Sequence, residues 1–165
     1  WMRRADSRLA ATVAGRGGAQ SYATLAFSAA GYYRGGELAK AIAAFDEAAQ
    51  QAQAEQLPDK AAEAAYSAAT IEKERGNYAA AKKRYEQLAL DAPAAPQAAD
   101  AHLMAAFCAG QLAQAEKPPR LDEYQRLLRE HVQRWPHSQT ASQAYTWLGR
   151  LAELDRDGRA WWDPE

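Results

Sequence analysis

One cysteine, two methionines and three phenylalanines are present in 165 residues, and each shortage closes off some chemistry. A single Cys108 can form neither an intrachain disulfide nor a cysteine-based zinc site. It leaves the compartment open, because many exported proteins also lack disulfides. No alternating run rich in Val, Ile or Thr occurs, so nothing reads as a β-strand. No apolar run approaches the ~20 residues of a membrane-spanning helix, and no segment has the apolar character of a signal peptide. An excess of one charge is missing too. Twenty basic and 21 acidic residues leave a net charge of −1, which gives no electrostatic footing for nucleic acid or an anionic membrane.

What the chain has instead is alanine. Hydrophobic residues make up 48% of the sequence, and alanine dominates that share. Alanine with Gln, Glu and Arg favours helices that pack at close range. The apolar spacing and the breakers predict helices over 1–14, 20–34, 37–54, 59–75, 78–91, 96–114, 120–135 and 138–154. Trp1, Ala5, Leu9 and Val13 share one face of the first. Gly35-Gly36, Gly76-Asn77 and Gln56-Leu57-Pro58-Asp59 punctuate the chain as turns. Pro93 and Pro96 end one helix and start another. Ser138, after Trp135-Pro136-His137, reads as an N-cap.

The stretch 64–93 sets the pattern for the rest. Ala65, Ala68, Ala69 and Glu72 share a face of its first helix, and Tyr78, Ala81, Tyr85 and Leu88 a face of its second. Ala41-x3-Phe45 repeats the spacing of Ala81-x3-Tyr85 at an offset of 40 residues. Five, eight, twelve and thirteen residues past Pro93 stand Ala98, Ala101, Ala105 and Ala106. The same counts past Pro136 give Ala141, Ala144, Leu148 and Gly149. This agreement fixes a repeat register.

The stretch resembles a tetratricopeptide repeat (TPR), with Gly at the inter-helix turn, an aromatic two residues on, then A-x3-[FY] and a terminal Pro. The resemblance covers roughly residues 20–158. It departs from the family pattern where Ala replaces the usual Leu-Gly and where His131 stands in place of a small residue. It implies an all-α fold, a right-handed superhelix of antiparallel helix pairs, as one repeat domain over 1–165. The divisions are a preceding helix (1–18), repeat 1 (19–57), repeat 2 (58–93), repeat 3 (94–136) and a partial repeat 4 or cap (137–165). Trp135-Pro136-His137-Ser138-x2-Ala141 with Tyr145-x2-Leu148-Gly149 is similar to the sub-type found in bacterial envelope TPR proteins, those of the Tol–Pal system and of outer-membrane assembly. That likeness implies a periplasmic or envelope location in a bacterium, with the cytoplasm as the alternative. The chain opens at Trp1 rather than Met and reads as a segment of a longer protein.

Candidate chemistry is sparse. His102, His131 and His137 are the available imidazoles, but no two stand at i, i+4 and no HExxH occurs. His102 shares the register of Tyr145 and Ala65 and reads as a packed helix residue. Cys108 sits in an alanine-rich helix and reads as an inert thiol. Gly15–Gly18 and Gly35-Gly36 lack the Lys-Ser/Thr of a phosphate loop. Glu72 and Glu74, interleaved with Lys73 and Arg75, read as a solvated face. Neither a catalytic residue, a metal site nor a cofactor is expected, and the chain does not read as an enzyme.

The expected function is a non-catalytic scaffold for protein–protein interaction, binding a peptide or helix of a partner in a concave groove lined by the first helices of the repeats. The alternative is a structural spacer or self-assembly segment of a larger protein. Counting one, five and eight residues past the register anchors gives the groove-facing positions. They are Ala26, Ala30 and Tyr33, then Tyr66, Thr70 and Lys73, then Leu103, Phe107 and Gly110, then Thr146, Arg150 and Glu153. The partner-binding residues expected from this set are Tyr33, Tyr66, Thr70, Lys73, Phe107 and Arg150. They lack the Lys/Asn/Arg cluster with which some TPR domains clamp a terminal carboxylate, so an apolar peptide or helix is the expected ligand. Trp1 and Trp161-Trp162 suggest end-to-end self-association.

Overall fold

A computed structural model describes residues 20–116 and 120–157, with side chains up to Glu153. Among these residues there are seven α-helices and no strand: α1 (Tyr22–Arg34), α2 (Leu38–Ala54), α3 (Pro58–Glu74), α4 (Tyr78–Asp91), α5 (Ala98–Ala115), α6 (Asp122–Arg134) and α7 (Ala141–Asp157). The helix expected over 1–14 and the tail 159–165 lie outside the described residues, and with them Trp1, Trp161 and Trp162.

Each helix packs against the next in sequence. The first three connections are one turn used three times. The chain leaves the helix through a left-handed residue, Gly36 (φ 75°), Gln56 (φ 60°) or Gly76 (φ 73°). The next amide then reaches back into the last turn: Glu37 N–H donates to Tyr32 O, Leu57 to Ala52 O and Asn77 to Glu72 O, each at 2.8–2.9 Å. These bonds satisfy carbonyls that a helix C-terminus leaves open. Glycine takes the left-handed conformation without strain, whereas Gln56 carries a Cβ into it.

The connections α4–α5 and α6–α7 use a second turn, also repeated. Ala92 N–H donates to Leu88 O, Ala95 to Ala92 O and Ala98 to Ala95 O. In the same register Trp135 donates to His131 O, Ser138 to Trp135 O and Ala141 to Ser138 O. The two helices therefore start at the equivalent residues Ala98 and Ala141, five past Pro93 and Pro136. Both starts fall later than the sequence pattern suggests. Ser138 is not an N-cap: its hydroxyl donates back to Trp135 O at 2.9 Å, so the turn consumes the group that would have capped the helix.

The core is built mostly of methyl groups. Ala29, Ala41, Ala48, Ala52, Ala68, Ala69, Ala81, Ala89, Ala101, Ala105, Ala106 and Ala144 are fully buried. Large side chains are few, and each fills a defined gap. Tyr85 is buried completely among Ala62, Ala69, Ala101, Ala105 and Cys108. Leu127 and Leu128 do the same between α5, α6 and α7, with Leu103, Ala106 and Leu151. Glu72, expected on a solvated face, is buried. Its carboxylate accepts from Asn77 Nδ2 at 3.0 Å, so it closes the α3–α4 turn.

Contacts also skip a helix. Tyr33 of α1 reaches Glu74 of α3 at 2.8 Å, and Tyr66 of α3 reaches Asp100 of α5. On the even-numbered helices, Arg84 of α4 holds Asp46 of α2 with two bonds of 2.6 and 2.9 Å. Lys82 of α4 meets Glu123 of α6 at 2.5 Å. The two ion pairs are partly solvated and contribute modestly, about 0–1 kcal/mol each. The value of all these contacts is geometric, since they tie odd helices to odd and even to even.

Two stability outcomes follow from the packing. Tyr85→Ala empties a fully enclosed site and should cost about 3–5 kcal/mol in denaturant unfolding, as large aromatic truncations do. Gln56→Gly relieves a strained left-handed residue and should raise stability by about 0.5–1 kcal/mol, while Gly76→Ala should lower it by about 1–2 kcal/mol. A Cβ at Gly76 meets nothing within 4 Å, so that loss measures backbone strain alone.

Candidate functional site

The odd-numbered helices carry all six residues expected to face a partner. Tyr33, near the end of α1, is 41% exposed, and its hydroxyl donates to Glu74 at 2.8 Å. That hydrogen bond holds its pKa above the ordinary tyrosine value. Tyr66 is half-buried. Its hydroxyl donates to Asp100, and its ring stands edge-on to Tyr85 at 5.4 Å. Burial first, and the Asp100 carboxylate second, raise its pKa. Thr70 donates to Tyr66 O at 3.0 Å and lies 2.9 Å from the Tyr85 hydroxyl. A threonine has one proton to give, so Tyr85 is the donor to Thr70.

Lys73 extends towards α5, with Nζ 3.8 Å from Met104 Sδ. Phe107 is half-buried between two rings, Tyr78 at 6.3 Å and Trp147 of α7 at 6.4 Å. Arg150, one turn beyond Trp147, is exposed. Burial pushes the Tyr124 phenol up to about 12, and the Arg150 charge works against that rise. The contacts therefore form a line across four helices: Tyr33 to Glu74, Lys73 to Met104, Phe107 to Trp147, then Arg150.

Not every position counted into this face is available. Leu103 is buried with Leu127 and Leu128. Gly110 is buried too, and a Cβ there would lie 3.4 Å from the Tyr124 ring. Both point at α6 because α5 is enclosed on nearly every side. Ten of its residues are buried, which a count along a single helix face cannot foresee. Conversely, Glu74, Asp100, Met104 and Trp147 bind the row together and were missed. One signal was present: Asp100 follows Tyr66 by 34 residues, the repeat length of the family the sequence resembles.

A separate cleft of about 630 Å³ opens between α2 and α4, over α3. Ala49, Ala61, Ala62 and Ala65 form its apolar floor, with Gln53, Lys83 and Gln87 at its edge. None of the six expected residues lines it. Alanine creates this hollow by leaving volume unfilled where two helices straddle a third.

Reactive groups are differently placed. Cys108 is buried, and burial pushes its thiol up to about 11, so it is protonated at neutral pH and a poor nucleophile. Among the described residues no group of three or more His, Cys, Asp or Glu is placed to hold a metal ion. No described helix is long and apolar enough to cross a membrane. His137 is exposed in the turn before α7. His102 and His131, far apart in sequence, are brought together: both are buried, with ring centroids 5.6 Å apart and nearly parallel planes.

Comparison with known proteins returned no matching family model, no matching curated protein and no matching solved structure.

The row contains two kinds of residue, and truncation separates them. Tyr33→Ala should leave the unfolding temperature nearly unchanged, as truncation of a solvated side chain does. Phe107→Ala should cost about 2–4 kcal/mol, because Tyr78 and Trp147 lose their shared ring contact. Thermal unfolding of the two variants checks the difference.

Proposed function

We propose that the chain is a TPR-like solenoid, a right-handed superhelix of antiparallel helix pairs, and that it acts as a non-catalytic scaffold binding a peptide or helix of a protein partner. The observation that supports this most is the line of contacts from Tyr33 through Glu74, Lys73, Met104, Phe107 and Trp147 to Arg150. In a stacked array the first helices of successive repeats lie side by side and form one continuous surface. The repeated turns and the helix-skipping bridges fit that arrangement, because the bridges run between alternate helices, α1 to α3, α3 to α5, α2 to α4 and α4 to α6.

The row mixes exposed aromatic surface at Tyr33 with a cation at Arg150 and a partly covered apolar middle. Such a surface suits an extended or helical segment that offers apolar side chains and a carboxylate. Aromatic and Arg anchors at a protein interface each carry about 2 kcal/mol or more on truncation. The bacterial envelope remains the proposed setting, resting on the Trp135–Gly149 phrase alone.

Selection of a displayed peptide library on the chain tests the reading. Selected peptides should weaken about 10-fold or more with Tyr33→Ala and with Arg150→Ala, since 1.4 kcal/mol is tenfold in affinity. They should be indifferent to Lys83→Glu in the α2–α4 cleft. Peptides that ignore both row variants and respond to Lys83→Glu would move the binding face to that cleft.

A further inference from the structure

The junction of α5, α6 and α7 encloses two imidazoles beside its alanines and leucines. His102 is 3% exposed and His131 not at all. Their rings stack on each other and meet Trp135 at a tilt, its centroid 5.1 Å from His102 and 5.7 Å from His131. Each ring has one nitrogen near a polar group. His131 Nε2 lies 3.0 Å from Thr140 Oγ1, in the turn leading to α7. His102 Nε2 lies 3.8 Å from Glu130 Oε2. The other nitrogen, Nδ1 in both, is buried without a hydrogen-bond partner.

A neutral imidazole tolerates this arrangement, because one of its nitrogens carries no proton. A protonated ring carries N–H on both. Nδ1–H would then be a buried donor on a cation with no acceptor, and the second ring of the stack would face a like charge. We propose that the His102–His131 pair is an acid-operated latch, whose protonation releases α6 and α7 from α5 while α1–α4 keep their packing.

The surrounding charges do not rescue the cation. On α5, Asp100 favours the charged form of His131, but its carboxylate is already engaged by Tyr66. On α6, Glu130 favours the charged form of His102, whereas Arg134 and Arg126 oppose it. Glu130 is moreover held by Arg126 at 2.7 Å. From α4, Glu86 faces Arg126 and Lys82 faces Glu123, not the rings. The turn 135–140 offers the hydroxyls of Ser138 and Thr140, which are bonded to each other at 3.0 Å. Among the described residues α7 adds no charge to the pair; its Arg150 acts on Tyr124.

Burial, followed for His102 by the proximity of His131, lowers both pKa values below the ordinary 6.5, that of His102 to about 4. The unfolded or opened chain therefore takes up protons that the closed form refuses. The stabilisation is complete above about pH 6.5 and is lost as the pH falls towards 4. The latch does not depend on what the row of odd helices binds.

Amide hydrogen exchange of the whole chain at pH 7 and pH 5, corrected for intrinsic rates, reads the opening helix by helix. One histidine with these pKa values raises the opening constant of α6 and α7 about 20-fold or more between the two, with α2 and α3 changing far less. In the variant His102→Phe/His131→Gln, which keeps a ring in the stack and an amide near Thr140, that difference should disappear. Unchanged protection of α6 and α7 at pH 5, or an equal loss in all helices, would overturn the latch. So would a folded double variant that keeps the full pH dependence. If the variant fails to fold, the helix-by-helix comparison in the unaltered chain decides by itself.

Discussion

Close approach of helices through alanine is the constraint on which the rest of this structure depends. A buried methyl group fills little space, so neighbouring helices can lie near each other only while the contact positions stay small. Ala68 and Ala69 of α3, Ala81 of α4 and Ala105 of α5 are all buried completely. Tight packing gains dispersion energy from many short contacts, but it leaves little tolerance for added volume. The few large side chains therefore act as spacers with assigned places. Tyr85 fills one seam and the Leu127–Leu128 pair another. Where no large residue is supplied, a hollow persists, as between α2 and α4.

Packing by alanine alone would not select one register, since one alanine contact is much like the next. Polar contacts supply that selection. Thr70 fixes Tyr85 through its hydroxyl, Asp46 fixes Arg84, and Asn77 fixes Glu72 at the turn. A sliding helix would strand the buried members of these pairs, and an unpartnered buried polar group costs about 1–3 kcal/mol. The turns add a second selector. At the first three connections a left-handed residue and a reverse hydrogen bond end the helix at a defined carbonyl, so the next helix starts at a set angle and height.

The α5–α6–α7 junction departs from this scheme. Its α6–α7 connection uses the same second turn as α4–α5, yet the junction buries a stacked His102–His131 pair beside Trp135. Two buried nitrogens go unpaired there. The chain thus has segments of unequal character, packed by alanine in one part and by imidazole in another.

Much of this was legible in the sequence, for physical reasons that are local. Helix positions follow from apolar spacing and from Gly and Pro, which act through their own backbone. Equivalence of Ala98 with Ala141 could be read because the same turn was encoded after Pro93 and after Pro136. The A-x3-aromatic spacing correctly put Tyr85 inside. What tertiary structure decided was everything that depends on two distant segments. Glu72 reads as a surface charge from its neighbours Lys73 and Arg75, and only the α3–α4 turn buries it against Asn77. Ser138 looks like a cap until the turn takes its hydroxyl. Leu103 and Gly110 fall on the outward side of α5 by counting, but α6 covers that side as well. His102 and His131 carry no mutual spacing signal, because their stack comes from the crossing of two helices and not from the period of either.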